Sequence, residues 1–287
     1  FGWLLEDFSP TRLVQVVQGA AVLAIALNLI ALWKQEPRTR QSESGSPQPQ
    51  RPPLKQTWRI FATQPGAIRL LVAVAVGTAA FSMQDILLEP YGGEILAMSV
   101  SQTTLLTGLL AVGTLFALAL SARVMNTLIQ PTRLAATGAL LGIVAFSAVI
   151  FSGATQQTWL FQIGTAMIGF GAGLFTVGLL TEAMRHGDVC GSGVALGAWG
   201  AVQATAAGLA IGAGGVIRDS VTILADNGYL GEVMANSPQA SYGVVYHLEI
   251  LLLFIALIAI GPLVRSQQSN GVSKRSQRGL ELYDFPN

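Results

Sequence analysis

Residues Met83–Ile95, MQDILLEPYGGEI, close an apolar run that begins near Ala67. Gln84, Asp85 and Glu89 therefore sit inside the hydrocarbon or at its rim. A carboxylate there is costly and should face protein, water or a ligand. Thr78, Ser82, Asp85 and Glu89 follow steps of four, three and four, which puts them on one helix face. On one reading this face contacts a ligand, carries a proton or hinges a gate. On the other, Asp85 makes a structural hydrogen bond that orients a neighbouring helix. Spacing leaves both open. Pro90 is expected to end the helix, and Gly92-Gly93, behind Tyr91, to permit a tight turn.

Other polar residues in apolar surroundings are open in the same way. Trp199 and Gln203, four apart, could line a cavity and cover a flat ring, or could pack and bond between helices. His247 and Glu249 enter the last apolar segment. A single histidine could ligate a chlorophyll magnesium, but a hydrogen-bonded interfacial histidine is the preferred reading. Glu182, Arg185, His186 and Asp188 are expected in a solvated loop, since they fit no zinc-ligand spacing. Arg218-Asp219 reads as an ion pair or as a cation at a helix C-terminus. Gly193, Gly197, Gly208 and Gly212 form a small-residue ridge for close helix packing, and Gly164, Gly169, Gly171, Gly173 and Gly178 form another. The run GFGAGLF (Gly169–Phe175) is read as packing, since no strand precedes it. No Ser-His-Asp order, HExxH or P-loop occurs, so neither a catalytic constellation nor a metal site is expected. The lone Cys190 excludes a disulfide within the chain.

The elements that must position these residues are membrane helices. Apolar types make up 52% of the 287 residues and charged types 11%, against about 25% in soluble domains. Mean hydropathy is +0.55. Net charge is only +1, which gives no reason to expect a nucleic-acid partner. Seven segments reach the length a bilayer demands, near Leu13–Trp33, Ala67–Leu88, Thr103–Leu120, Leu134–Phe151, Trp159–Thr181, Gly193–Ile217 and Val244–Val264. Pro, Gln, Ser and charge dominate residues 34–66, which read as a flexible linker. The expected organisation is an outer loop and one helix (1–33), a cytoplasmic linker (34–66), six helices (67–264) and a cytoplasmic tail (265–287). With seven spans, fourteen of the 16 Lys and Arg fall on one side, which orients the first residues outside and the C-terminus in the cytoplasm. The chain begins with Phe1 and is expected to be the later part of a longer protein.

Three longer stretches carry a family likeness: MQDILLEPYGGEILAMSVSQTTLLTGLLAVGTLFA from Met83, FGAGLFTVGLLTEAM from Phe170 and GVALGAWGAVQATAAGLAIGAGGVIRD from Gly193. The chain resembles the PucC/LhaA family, the bacteriochlorophyll-delivery branch of the major facilitator superfamily, from about Gly2 to the ending LYDFP (Leu282–Pro286). The resemblance implies a twelve-helix major facilitator fold, of which this chain holds helices 6–12. It implies a bacterial photosynthetic inner membrane and a role in assembling light-harvesting antenna complexes. Bacteriochlorophyll would be brought to nascent antenna polypeptides, with no enzymatic step. Gln84, Asp85, Glu89, Tyr91, Trp199 and Gln203 would then contact pigment or substrate, a carboxylate acting through water on the magnesium. The loop SARVMNTLIQPTR (Ser121–Arg133) departs from many solute transporters of that superfamily in having no acidic residue. The alternative is a proton-coupled small-solute transporter with Asp85 or Glu89 as carrier.

Overall fold

The computed structural model describes residues 10–33, 53–125, 130–190, 192–231 and 237–281. No strand occurs among them. In chain order the elements are α1 (Pro10–Trp33), α2 (Leu54–Thr63), α3 (Ala67–Ser82), a 3-10 turn (Met83–Ile86), α4 (Leu88–Glu94), α5 (Val100–Val124), α6 (Pro131–Thr155), α7 (Thr158–Cys190), α8 (Ser192–Asp226) and α9 (Pro238–Glu281). Among the described residues, six segments are long and apolar enough to cross a membrane: Ala67–Ile86, Val100–Val124, Pro131–Thr155, Thr158–Gly187, Gly193–Asp226 and Pro238–Val264. The apolar part of α1, Gln18–Ile30, is shorter. Phe116, Phe151, Leu209 and Ile258 point outward, which suits lipid and not water. The protein is an all-α membrane protein.

Several helices outrun the apolar stretches that announced them. Polar residues carry α7 on to Cys190, so Glu182, Arg185 and His186 lie on its last turns and not in a solvated loop. Glu182 is buried, 3.8 Å from both the Arg185 guanidinium and the His186 ring. The Asp188 side chain lies outside the described residues. Helix α9 likewise continues to Glu281, through much of the segment expected as a tail. Of the expected linker, 34–52 lies outside the described residues, but Leu54–Thr63 forms α2. Thr57 and Phe61 are the buried residues of this helix. Phe61 meets the His186 ring edge-on at 6.4 Å, and Gln64 Nε2 donates to the His186 carbonyl at 3.4 Å. So short an apolar face does not register against a Pro- and Gln-rich background. Gly66, at φ +90, makes the turn into α3 that other residues would resist.

Helix α7 is the hub of the bundle, packed on both α5 and α6. Glycine is what lets it approach. On the α6 seam, a Cβ at Gly138 would lie 2.5 Å from the Gly171 carbonyl oxygen, and one at Gly178 would lie 2.5 Å from that of Pro131. On the α5 seam, a Cβ at Gly169 would overlap the Leu110 carbonyl oxygen. The closeness also permits an interhelical bond from Thr114 Oγ1 to the Gly169 carbonyl at 3.1 Å. In lipid such backbone proximity is a main source of helix affinity.

The ridge expected on α8, which runs on to Gly215, packs closely only at that end, where an added Cβ would lie 2.9 Å from Ile86 Cδ1. At Gly193, Gly197, Gly208 and Gly212 an added Cβ would meet nothing within 4 Å among the described residues. Small residues permit close approach but do not supply a partner. Within this chain α3 and the 3-10 turn take a different face of α8, where Gly214 sits against the Met83 backbone.

Gly169→Val should therefore destabilise this chain by about 1–3 kcal/mol or more through overpacking. Gly208→Ala should stay within about 0.5 kcal/mol, as surface changes do. Thermal unfolding in mild detergent should show a clear fall in Tm for the first and none for the second.

Candidate functional site

The site is organised by how α3 ends. The α-helix changes to a 3-10 turn at Met83, before Pro90 is reached. Pro90 and Gly92-Gly93 lie inside α4, so neither breaks the helix as expected. Proline is tolerated in a first turn because its missing N–H would have no intrahelical partner there. Gly92 sits in a tight spot, since a Cβ would come to 3.1 Å from Met98 Sδ and 3.3 Å from Phe161. The reversal comes later, around Ala97 at φ +50, and Ser99 then starts α5 with a reciprocal capping box to Gln102.

Thr78, Ser82, Gln84 and Asp85 line one cavity of about 180 Å³, closed by α5, α7 and Gln203 of α8. Gln84 is buried, and its Nε2 donates to the Asp85 carboxylate and to the Phe81 carbonyl. Two of the remaining candidates are elsewhere. Glu89 leaves the shared face because the 3-10 turn changes the angular step, and its carboxylate accepts from Thr107 Oγ1 of α5 at 3.0 Å. Trp199 packs against the main apolar core and does not line the cavity.

Tyr91 lies on the other side of the turn and is 1% exposed. Its ring meets Phe161 at 5.3 Å, Tyr242 at 5.4 Å and Tyr246 at 5.5 Å, the two tyrosines edge-on. Edge-to-face contacts of this kind add to the apolar burial. Burial raises the Tyr91 phenol above its ordinary pKa range, which keeps its proton on the hydroxyl that faces the Val149 carbonyl at 3.4 Å. Gly153 leaves the room this hydroxyl occupies. Tyr91 and Tyr246 form the floor of a second cavity, about 510 Å³, with Ile150, Gln239, Val244 and His247 around it. The Nδ1 of His247 lies 2.6 Å from the Gly243 carbonyl. A carbonyl only accepts, so Nδ1 carries the hydrogen in this bond.

A cluster that sequence reasoning only half found closes this end of the bundle. The Arg218–Asp219 pair is present at 2.9 Å. Arg218 also donates to Glu94 Oε2 and to the Tyr242 hydroxyl, both at 2.8 Å, and its guanidinium lies 4.7 Å from the Tyr242 ring centroid. Tyr242 in turn donates to Glu94 at 2.7 Å. Glu94 and Arg218 are 124 residues apart, so no local spacing could reveal the link. Among the described residues no group of three or more His, Cys, Asp or Glu could hold a metal ion.

A family model described as PUCC protein matches residues 1–268. A Rhodobacter capsulatus protein named only for the puhA-bchM intergenic region is 49% identical over 264 residues, covering 92% of this chain and 55% of that protein. Protein PucC of Cereibacter sphaeroides is 43% identical over 270 residues, 93% of this chain and 56% of its own. A more distant relative, the bacteriochlorophyll synthase 44.5 kDa chain of Rhodobacter capsulatus, is 29% identical over 223 residues, 74% of this chain and 50% of its own. The chain thus spans about half the length of the curated relatives it matches.

The aromatic floor yields a graded expectation. Tyr91→Ala should cost about 3–5 kcal/mol, as large aromatic truncations in a packed core do. Tyr91→Phe, which keeps the ring and loses one long hydrogen bond, should cost about 1 kcal/mol or less. Thermal melts of the two variants in one detergent would read the difference as a large and a small fall in Tm.

Proposed function

This chain belongs to the PUCC protein family, and from that premise we propose that it serves as an assembly factor for bacterial light-harvesting antenna complexes. In this reading it is not an enzyme. It binds bacteriochlorophyll within the membrane and delivers it to nascent antenna polypeptides. Family membership is the observation that carries the proposal, since the match runs over residues 1–268. One relative is itself named a bacteriochlorophyll synthase chain. The chain would supply the last seven helices of a twelve-helix protein of the major facilitator type. The ends of the bundle bearing Gly66 and Tyr91 would face the cytoplasm and the periplasm respectively.

The two cavities divide the task unequally. Ligand sites generally run to about 300–1,000 Å³. The cavity at Asp85, about 180 Å³, is below that range. The cavity at Tyr91, about 510 Å³, falls within it. Its lining is largely apolar, with Ile150, Ala240 and Val244 beside the buried Tyr91 and Tyr246. His247 lines this cavity, and with Nδ1 on the Gly243 carbonyl its Nε2 is the nitrogen that would meet a magnesium ion. The bond from Nδ1 to the Gly243 carbonyl orients the ring. Of the residues first considered as pigment contacts, Tyr91 keeps that role. Gln84, Asp85 and Gln203 line the smaller cavity, while Glu89 and Trp199 line neither.

The test is an absorption spectrum of the full-length protein, purified in mild detergent from a pigmented phototroph, with co-purifying polypeptides identified. Near-infrared bacteriochlorophyll bands together with antenna polypeptides are expected. His247→Leu should lose most of the pigment at unchanged protein yield. A pigment-free, well-folded protein would overturn the reading.

A further inference from the structure

Helix α2 is too short to cross a bilayer and is tied to its surface. Its 10 residues rise about 15 Å, half the hydrocarbon thickness, and Lys55 and Arg59 lie among them. Gln64, Pro65 and Gly66 alone separate it from Ala67, where a membrane-spanning segment begins. Ile68 and Val72 of that segment already point outward, as lipid-facing residues do. Packing fixes α2 at this level. Phe61 is buried in a cluster with Ala67 and Leu71 of α3 and Ala195 of α8. A Cβ at Gly66 would lie 2.7 Å from Leu263 of α9.

The apolar face of α2 is wider than the bundle covers. Leu54, Trp58 and Phe61, at steps of four and three, share one face. Phe61 is buried, but Leu54 is 74% exposed and Trp58 43%, although the Trp58 ring lies 5.7 Å from that of Phe61. Lys55 and Arg59, four apart and both exposed, form a parallel row beside Leu54 and Trp58. Gln56 and Thr63 lie on the opposite side and are exposed too. An apolar strip edged by cations is what a helix lying in the headgroup layer presents. An indole suits that depth because its body is apolar and its N–H is polar, and long basic side chains reach from it to phosphate.

The charge of this end of the bundle says which lipid fits. Lys55, Arg59, Arg69, Arg123, Arg133 and Arg185 are exposed here. Among the described side chains the one carboxyl at this end is that of Glu182, which is buried. A surface so one-sided attracts anionic headgroups over zwitterionic ones. We propose that α2 is a lipid-docking helix: Leu54 and Trp58 enter the headgroup boundary of the leaflet at the Gly66 end, and Lys55 and Arg59 bind anionic phospholipid there. The surface rests on the membrane fold and is independent of the pigment reading.

The test uses the full-length protein in lipid nanodiscs, with a spin label at Leu54→Cys or, separately, at Gln56→Cys in a background without other cysteines. Oxygen concentrates in lipid and a nickel chelate stays in water. The label at position 54 should collide more with oxygen, and the label at 56 more with the chelate. A label at 54 as open to the chelate as that at 56 would place α2 in water and overturn the proposal. Protection of position 54 from both reagents would mean that protein covers it, and would overturn the proposal equally. The second arm compares nanodiscs of phosphatidylcholine with and without phosphatidylglycerol at low salt, where surface charges are least screened. Phosphatidylglycerol should raise the Tm of the unmodified protein, and Lys55→Gln with Arg59→Gln should remove at least half of that rise. An equal rise in both proteins would overturn the assignment of Lys55 and Arg59 to anionic headgroups.

Discussion

Close approach of helix backbones at glycine is the interaction on which this bundle depends. Within hydrocarbon a helix satisfies its own backbone and gains nothing from burying apolar side chains that lipid would solvate as well. Affinity must come from dispersion and occasional interhelical bonds at short range. Helix α7 meets that need twice, through Gly138, Gly171 and Gly178 toward α6 and through Gly169 toward α5. With α5, α6 and α7 held together, Phe161 and Phe175 become fixed walls against which the end of α3 is set.

The end of α3 is where the regular bundle gives way. A 3-10 turn at membrane depth changes the angular spacing of side chains within a single turn. Asp85 keeps the face of Thr78 and Ser82, Glu89 is carried round to α5, and Tyr91 drops into the aromatic cluster on α9. One short irregularity therefore separates a small polar cavity from a larger aromatic one. Carboxyls flank it on both elements, the exposed Asp85 on the turn and the buried Glu249 on α9. The Arg218–Glu94–Tyr242 cluster ties α4, α8 and α9 at the rim, so the turn is held from outside as well as from below.

Residue types and spacing decided the architecture. Long uncharged runs permit only helices across a bilayer, so the all-α membrane class followed from composition and length alone. The glycines of α7 were legible as packing residues, and Thr78, Ser82 and Asp85 as neighbours on one face, because helical periodicity groups the residues of a single helix. The likeness of the stretches from Met83, Phe170 and Gly193 to one family was legible for the same reason.

Only tertiary structure could decide which faces have partners. The glycine ridge of α8 reads as packing just as that of α7 does, yet Gly208 and Gly212 meet nothing among the described residues while Gly169 cannot accept a single methyl. Pro90 looked like a terminator, but a first turn has no hydrogen bond for it to break, and only the observed start of α4 reveals that. Glu94 with Arg218 joins residues distant in the chain. Periodicity reports the direction of a side chain from its own helix axis. What stands in that direction is set by how separate helices pack, which no local pattern contains.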